Sequence, residues 1–170
     1  MSDNTTIQLK RGDKKTLEQI YNGFYDKIYS FIFFKVNNQE KAEDLAGEVF
    51  IKFIDYLKDH DIDNVNALLY KIARNLIIDD SRKKKEELIG DEAMGNITDN
   101  NEQSLDFITN EQLFKVVFEL KDDFRDVIVM YYLNEMTTKE IADIFEKSEG
   151  AVRTMLSRAI GAIKEKINIR

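Results

Sequence analysis

The chain contains no cysteine, no proline, no tryptophan and only one histidine in 170 residues. Without cysteine there is no disulfide framework and no thiolate zinc site. The lone histidine, His60, lies in the polar run Asp59-His-Asp-Ile-Asp-Asn-Val65 with no metal-ligand partner at useful spacing, so it reads as a surface loop residue. No nucleophile–base pair, metal cluster or glycine-rich phosphate loop is visible, which argues against an enzyme and gives no cofactor or metal to expect. No apolar run reaches the roughly 20 residues needed to span a bilayer, and no signal-peptide pattern opens the chain. The expectation is a cytoplasmic protein without membrane insertion. The missing proline, beside abundant Lys, Ile and Asn, carries no functional weight.

What is present is helical periodicity. Leu17, Ile20, Tyr21, Phe24, Tyr25, Ile28, Phe31 and Ile32 recur at three- and four-residue steps, which predicts a first amphipathic helix with an aromatic core stripe, ended by Asn37 and Asn38. A second helix is predicted from about Gln39 to Lys58, burying Ala42, Leu45, Val49, Phe50, Phe53 and Ile54. A third runs from about Val65 to Glu86, with Leu68, Leu69, Ile72, Ala73, Leu76 and Ile77 inward and Lys71, Arg74 and Asn75 towards the other side. It ends in Arg82-Lys-Lys-Lys85, a basic cluster suited to phosphates and equally to the negative end of a helix.

The most informative segment lies near the end. Thr137 and Glu140 have capping-box spacing, so a helix is expected to start there, with Ile141, Ala142, Ile144 and Phe145 inward. Ala142 is small, as a close helix crossing requires. Ser148 is a suitable N-cap for a following helix. That helix carries Ala151, Val152, Met155, Leu156, Ala159, Ile160, Ile163 and Ile167 on one face, and Glu149, Gly150, Arg153, Thr154, Ser157, Arg158 and Lys164 on the other. Two short helices, a tight turn and a basic, hydroxyl-rich outer face form the pattern of a helix-turn-helix presenting a recognition helix. Arg153 and Arg158 can reach base edges or phosphates, and Thr154 and Ser157 can hydrogen-bond to either. A plain amphipathic hairpin with a solvated polar face is the alternative.

The formal charge of −7 at first disagrees with nucleic-acid binding. Its distribution removes the conflict. Between Glu86 and Phe114 there is no Lys or Arg, and the stretch holds Glu86, Glu87, Asp91, Glu92, Asp99, Glu102, Asp106 and Glu111, without which the formal charge is +1. Charges act locally because salt screens them within about 10 Å. Gly90, Gly95 and Asn96 break periodicity in the same region, so residues 89–103 read as a flexible acidic linker between two helical units.

Taken together the segments resemble bacterial sigma factors. Lys41-Ala-Glu-Asp-Leu-Ala-Gly-Glu-Val-Phe50 resembles the family's region-two signature. Ala67-Leu-Leu-Tyr-Lys-Ile-Ala-Arg-Asn-Leu-Ile-Ile-Asp79, with Arg82 and Lys83, resembles its promoter-melting helix, and Leu120 through Arg158 resembles region four. The resemblance covers roughly residues 14–88 and 104–168, and the short spacing is similar to the extracytoplasmic-function (ECF) group of the sigma-70 family. It implies an all-α fold of two small helical domains joined by the acidic linker, the second ending in the helix-turn-helix. The expected divisions are 1–88, 89–103 and 104–170.

The resemblance also implies partners, namely core RNA polymerase and promoter DNA. Glu43, Asp44, Leu45, Glu48 and Phe50 lie where the family packs on the polymerase clamp. Lys71, Arg74, Asn75, Asp79, Arg82 and Lys83 lie where it meets the minus-ten element. The loop from Asp59 to Asn66, with Asp63 and Asn64, lies where a flipped base is held; flipping costs a few kcal/mol, so a shaped pocket gives selectivity. Ser148, Glu149, Gly150, Arg153, Thr154, Ser157 and Arg158 lie where it reads the minus-thirty-five element. The linker is expected to thread towards the polymerase cleft. An anti-sigma or other recruiting protein, and a monomeric state outside complexes, complete the expectation. Three residues depart from the family pattern: Gly47 where Gln is frequent, Leu68 where an aromatic is common, and Glu146 at a turn position often occupied by Gly. The competing readings are a stand-alone helix-turn-helix regulator acting without polymerase, and a helical adaptor whose basic faces bind an acidic protein.

Overall fold

The structure, a computed structural model, describes residues 13–89 and 111–168, which form helices joined by short turns. The predicted linker therefore lies outside the described residues, apart from its first residue. The first three helices are α1 (Lys14–Val36), α2 (Gln39–Asp59) and α3 (Val65–Leu88). Short polar side chains set their boundaries. Asp13 caps α1 by accepting from the Lys15 amide at 3.1 Å and the Thr16 hydroxyl at 2.8 Å. Asn37 ends α1 in the left-handed region (φ 49°), where Asn is better tolerated than most residues. Asn38 then caps α2 through the Lys41 amide at 2.8 Å, and Asn64 caps α3 through the Ala67 amide at 3.0 Å. Lys41 and Asp80 tie α2 to α3 at 2.5 Å, and that hydrogen bond is the main reason the Lys41 ammonium titrates above its ordinary range.

The second group contains α4 (Glu111–Phe118), α5 (Asp122–Ile128), a π-helical turn (Val129–Leu133), α6 (Thr138–Phe145) and α7 (Glu149–Asn168). The π turn, closed by the Asn134 amide on the Val129 carbonyl at 3.0 Å, shifts the phase of the side chains that follow. Val129 and Met130 point inward, Tyr131 and Tyr132 outward, and Asn134 is buried again at 2% exposure. The sequence pattern had given no sign of this turn inside Asp126–Leu133.

The two helical groups share one continuous apolar core. The clearest evidence is α1, where Ser30, Phe31, Ile32, Phe33 and Phe34 are buried in succession. A helix buried on all sides must be covered on all sides. One side packs on α2 and α3, and the other meets α5 and the π turn. Phe34 lies 5.1 Å from both Phe114 and Phe118, and Phe33 lies 6.3 Å from each, a cluster bridging α1 and α4. Such aromatic pairs add about 0.5–1.5 kcal/mol each beyond their burial.

Three expected core residues are not buried. Tyr21 is 45% exposed, Ile54 40% and Ile167 40%. Each lies at the margin of its apolar stripe, where helical periodicity alone does not fix how far the covering surface extends.

Candidate nucleic-acid interface

The helix-turn-helix forms as the local signals predict. Thr137 is the N-cap of α6, one residue before the helix begins, and its hydroxyl accepts from the Glu140 amide at 3.2 Å. The Glu140 carboxylate accepts in return from the Thr137 amide at 2.8 Å, completing the capping box. Glu146 closes α6 in the left-handed region at φ 54°. The chain accepts a conformation there that glycine adopts without strain, because the Glu146 and Lys147 amides close on the Asp143 and Ala142 carbonyls. Ser148 then caps α7 by accepting from the Ala151 amide at 3.1 Å.

Val152, Leu156 and Ala159 of α7 are buried. Ser148, Gly150, Arg153, Thr154, Ser157 and Arg158 are exposed, and Glu149 is half-buried. Glu149 links the two helices, accepting from the Thr138 hydroxyl at 2.6 Å and from Arg153 at 2.7 Å. The Thr138 bond is the main cause holding its carboxyl below the usual range. This pair of contacts fixes where the Arg153 guanidinium starts, with its remaining donors towards solvent. Thr154 donates to the Gly150 carbonyl at 3.1 Å, leaving its oxygen free to accept.

The residues placed on α3 by sequence divide into two groups. Asn75, Asp79, Arg82 and Lys83 are exposed, with Arg82 and Asp79 3.5 Å apart. Asp63 is exposed, and the Asn64 side chain serves as the α3 cap. Lys71 and Arg74 are half-buried and do not face solvent as expected. Arg74 donates to the Ile144 carbonyl at 3.4 Å and its guanidinium carbon sits 4.4 Å from the Phe145 ring centroid. Lys71 pairs with Glu146 at 3.6 Å. Both partners belong to α6 or its cap, some 70 residues away in sequence.

On α2, Glu43, Asp44 and Glu48 are exposed. Leu45 and Phe50 are 5% and 6% exposed and face the core of their own bundle, so neither offers a free contact surface. Their place at the centre of the helical stripe is the physical reason. Gly47 has open space around it, so its departure from the family pattern relieves no crowding. Leu68 is half-buried and packed against the core.

Sequence reasoning missed the groups that join the bundles. The Asn134 amide donates to Tyr70 Oη at 2.5 Å and to the Lys27 carbonyl at 3.2 Å, and Ser30 Oγ donates to Asn134 Oδ1 at 3.2 Å. Burial pushes the Tyr70 phenol well above its ordinary range. Asp126 is 2% exposed and paired with Lys35 at 3.0 Å. Arg125 donates to the carbonyls of Phe34 at 3.0 Å, Phe118 at 2.7 Å and Leu120 at 3.0 Å, tying the end of α1 to the α4–α5 turn. A signal did exist: Asp126 opens the otherwise apolar run Val127-Ile-Val-Met130, where an unpaired carboxylate is costly. Among the described residues no cluster suited to a metal ion is present, and no helix is long and apolar enough to cross a membrane.

Comparison with known proteins agrees with this geometry. The model of sigma-70 region 2 matches residues 20–87, and that of sigma-70 region 4 matches residues 112–163. The chain is 32% identical over 156 residues to the ECF RNA polymerase sigma factor SigM of Bacillus subtilis, covering 90% of this chain and 96% of SigM. It is 31% identical over 176 residues to SigW of the same organism, covering 94% and 93%. In fold it is similar to the sigma factor RpoE solved with the anti-sigma factor NepR from Bartonella quintana (TM-score 0.73, 21% identity, 91% of this chain and 98% of that one). It is also similar to CnrH solved with the cytosolic domain of CnrY (TM-score 0.68, 16% identity, 93% and 91%).

Proposed function

This chain belongs to the ECF group of RNA polymerase sigma factors, within the sigma-70 family, and from that premise we propose how its residues perform promoter selection. The protein is a transcription initiation factor. It binds core RNA polymerase, directs it to specific promoters and aids strand opening; the chemistry of RNA synthesis belongs to the polymerase. The observation that carries this reading is the order of regions two and four on one chain, the second ending in a helix whose basic, hydroxyl-rich face is exposed.

In the proposal, residues 1–88 hold polymerase and the minus-ten element, 89–103 are the acidic connection, and 104–170 read the minus-thirty-five element. Ser148, Glu149, Gly150, Arg153, Thr154, Ser157 and Arg158 face the minus-thirty-five groove. Arg153 is the principal donor, because a helix edge with paired N–H groups matches the major-groove face of guanine. Lys71, Arg74, Asn75, Asp79, Arg82 and Lys83 contact the minus-ten element, with Asp63 and Asn64 beside the flipped base. Glu43, Asp44 and Glu48 form the polymerase-binding surface, while Leu45 and Phe50 hold α2 in shape from inside. The setting is the bacterial cytoplasm. The solved relatives RpoE and CnrH carry NepR and CnrY, which supports an anti-sigma protein as a further partner of this chain.

The test is capture of core RNA polymerase by purified protein, followed by promoter opening on genomic fragments. Capture with sequence-selective opening is expected. Salt-dependent DNA binding without capture would instead establish a stand-alone regulator.

A further inference from the structure

The residues that tie α3 to α6 are the residues proposed to touch the minus-ten element, and one set of side chains cannot do both at once. Arg74 is engaged by the Ile144 carbonyl and the Phe145 ring, and Lys71 by Glu146. We propose that the packed arrangement is a latched, promoter-incompetent state of the factor, held by the buried Asn134–Tyr70–Ser30 cluster and the Lys35–Asp126 ion pair, and that the two bundles must part before region two can engage DNA. This rests on the sigma-factor reading above.

The composition of the interface supports a latch over a permanent core. An apolar contact alone tolerates sliding, whereas directional hydrogen bonds between buried groups select one register. Asn134 satisfies three groups of the first bundle at once: the Tyr70 hydroxyl, the Ser30 hydroxyl and the Lys27 carbonyl. Asp126 and Lys35, with side chains 3% and 13% exposed, form the second anchor at the far end of α1. Each of these groups is solvated readily once the bundles separate, so parting exchanges protein hydrogen bonds for water at modest net cost. Interfaces between domains that are this polar commonly permit relative motion. The π turn is the device that aims Asn134 inward, so the latch depends on a local irregularity in region four.

The latch also sets a quantitative expectation. A binding-competent state populated only in part weakens apparent affinity by that fraction. Removing one buried partner of Asn134 should therefore strengthen promoter engagement by the holoenzyme, by roughly 3- to 10-fold. Tyr70→Phe is the variant of choice, because it deletes the hydroxyl and keeps the ring.

The absence of cysteine permits a direct test. The double variant Lys27→Cys/Glu135→Cys flanks the Asn134 contact and can be bridged by a flexible, reductively cleavable thiol cross-linker. A second pair, Lys52→Cys/Lys164→Cys, takes donor and acceptor dyes for energy transfer. In the isolated protein, high transfer is expected, falling when core polymerase and promoter are added. The bridged protein should lose promoter opening by at least about 10-fold and recover it on reduction. Full opening by the bridged holoenzyme would overturn the latch and leave the sigma assignment intact. Failure of the unbridged protein to bind polymerase, with high transfer retained, would overturn the assignment and the proposal with it. Should Tyr70→Phe not fold, the bridging arm still decides, because it leaves the buried cluster unaltered.

Discussion

Asp126 shows how a single carboxyl couples to the whole chain. Burial pushes its pKa up to about 6, against the opposing pull of Lys35 on α1 and Arg74 on α3 and with a further push from Asp122 on α5. An ordinary unfolded aspartate titrates near 3.9. The folded protein therefore takes up a proton between about pH 4 and pH 6, and the contribution of this group to stability grows as pH falls through that window. Above pH 6 the ionised form carries its desolvation penalty in full. Measured by denaturant unfolding, wild type should gain on Asp126→Asn by on the order of 1–2 kcal/mol between pH 7 and pH 4.5. A difference that does not change with pH would show that Asp126 keeps an ordinary pKa.

Function at the same scale separates two surfaces. Arg153 is exposed on α7 and oriented by Glu149, so Arg153→Ala should weaken promoter binding by roughly 10-fold while leaving capture of core polymerase unchanged. Glu48 is exposed on α2, and Glu48→Lys should show the opposite split, impairing holoenzyme assembly first. Equal promoter occupancy by wild type and Arg153→Ala would remove α7 from the readout.

At the scale of the element, the helices are well capped but not optimised inside. Gly23 lies in the middle of α1 with nothing within 4 Å of where its Cβ would be. Glycine in a helix interior costs roughly 0.5–1 kcal/mol against alanine. Gly23→Ala should raise unfolding stability by that amount without altering polymerase or promoter binding. The capped boundaries were legible in sequence because they are local. Asp13, Asn38, Asn64, Thr137 and Ser148 each act on an amide two or three residues ahead. The strained cap at Glu146 was legible too, since only the residue type at one turn position is involved. The π turn was not, because what selects it is the inward aim of Asn134 onto α1 and α3.

At the scale of the molecule, the shared core makes the two bundles unfold together. Phe34 is 1% exposed and stands between α1 and the Phe114–Phe118 pair of α4. Phe34→Ala should cost about 3–5 kcal/mol, and it should also loosen the coupling between bundles. Wild type is expected to give coincident transitions by circular dichroism and by a probe on α7, and the variant to give separated ones. Coincident transitions in both would mean that the bundles are joined chiefly by their polar contacts.

The sequence by itself determined the helical class, nearly every helix boundary and the outward recognition face, since caps and periodicity act over a few residues. It also carried the family resemblance, through motifs that are each continuous in the chain. Only the tertiary structure decided that Lys71 and Arg74 are covered, that Leu45 and Phe50 turn inward, and that α1 is buried all round. Those outcomes depend on groups 64 to 107 residues apart, such as Asn134 with Tyr70 and with Lys27. A charged or polar side chain reads identically in sequence whether it meets water or a distant carbonyl, and the difference is fixed only when the second bundle packs against the first.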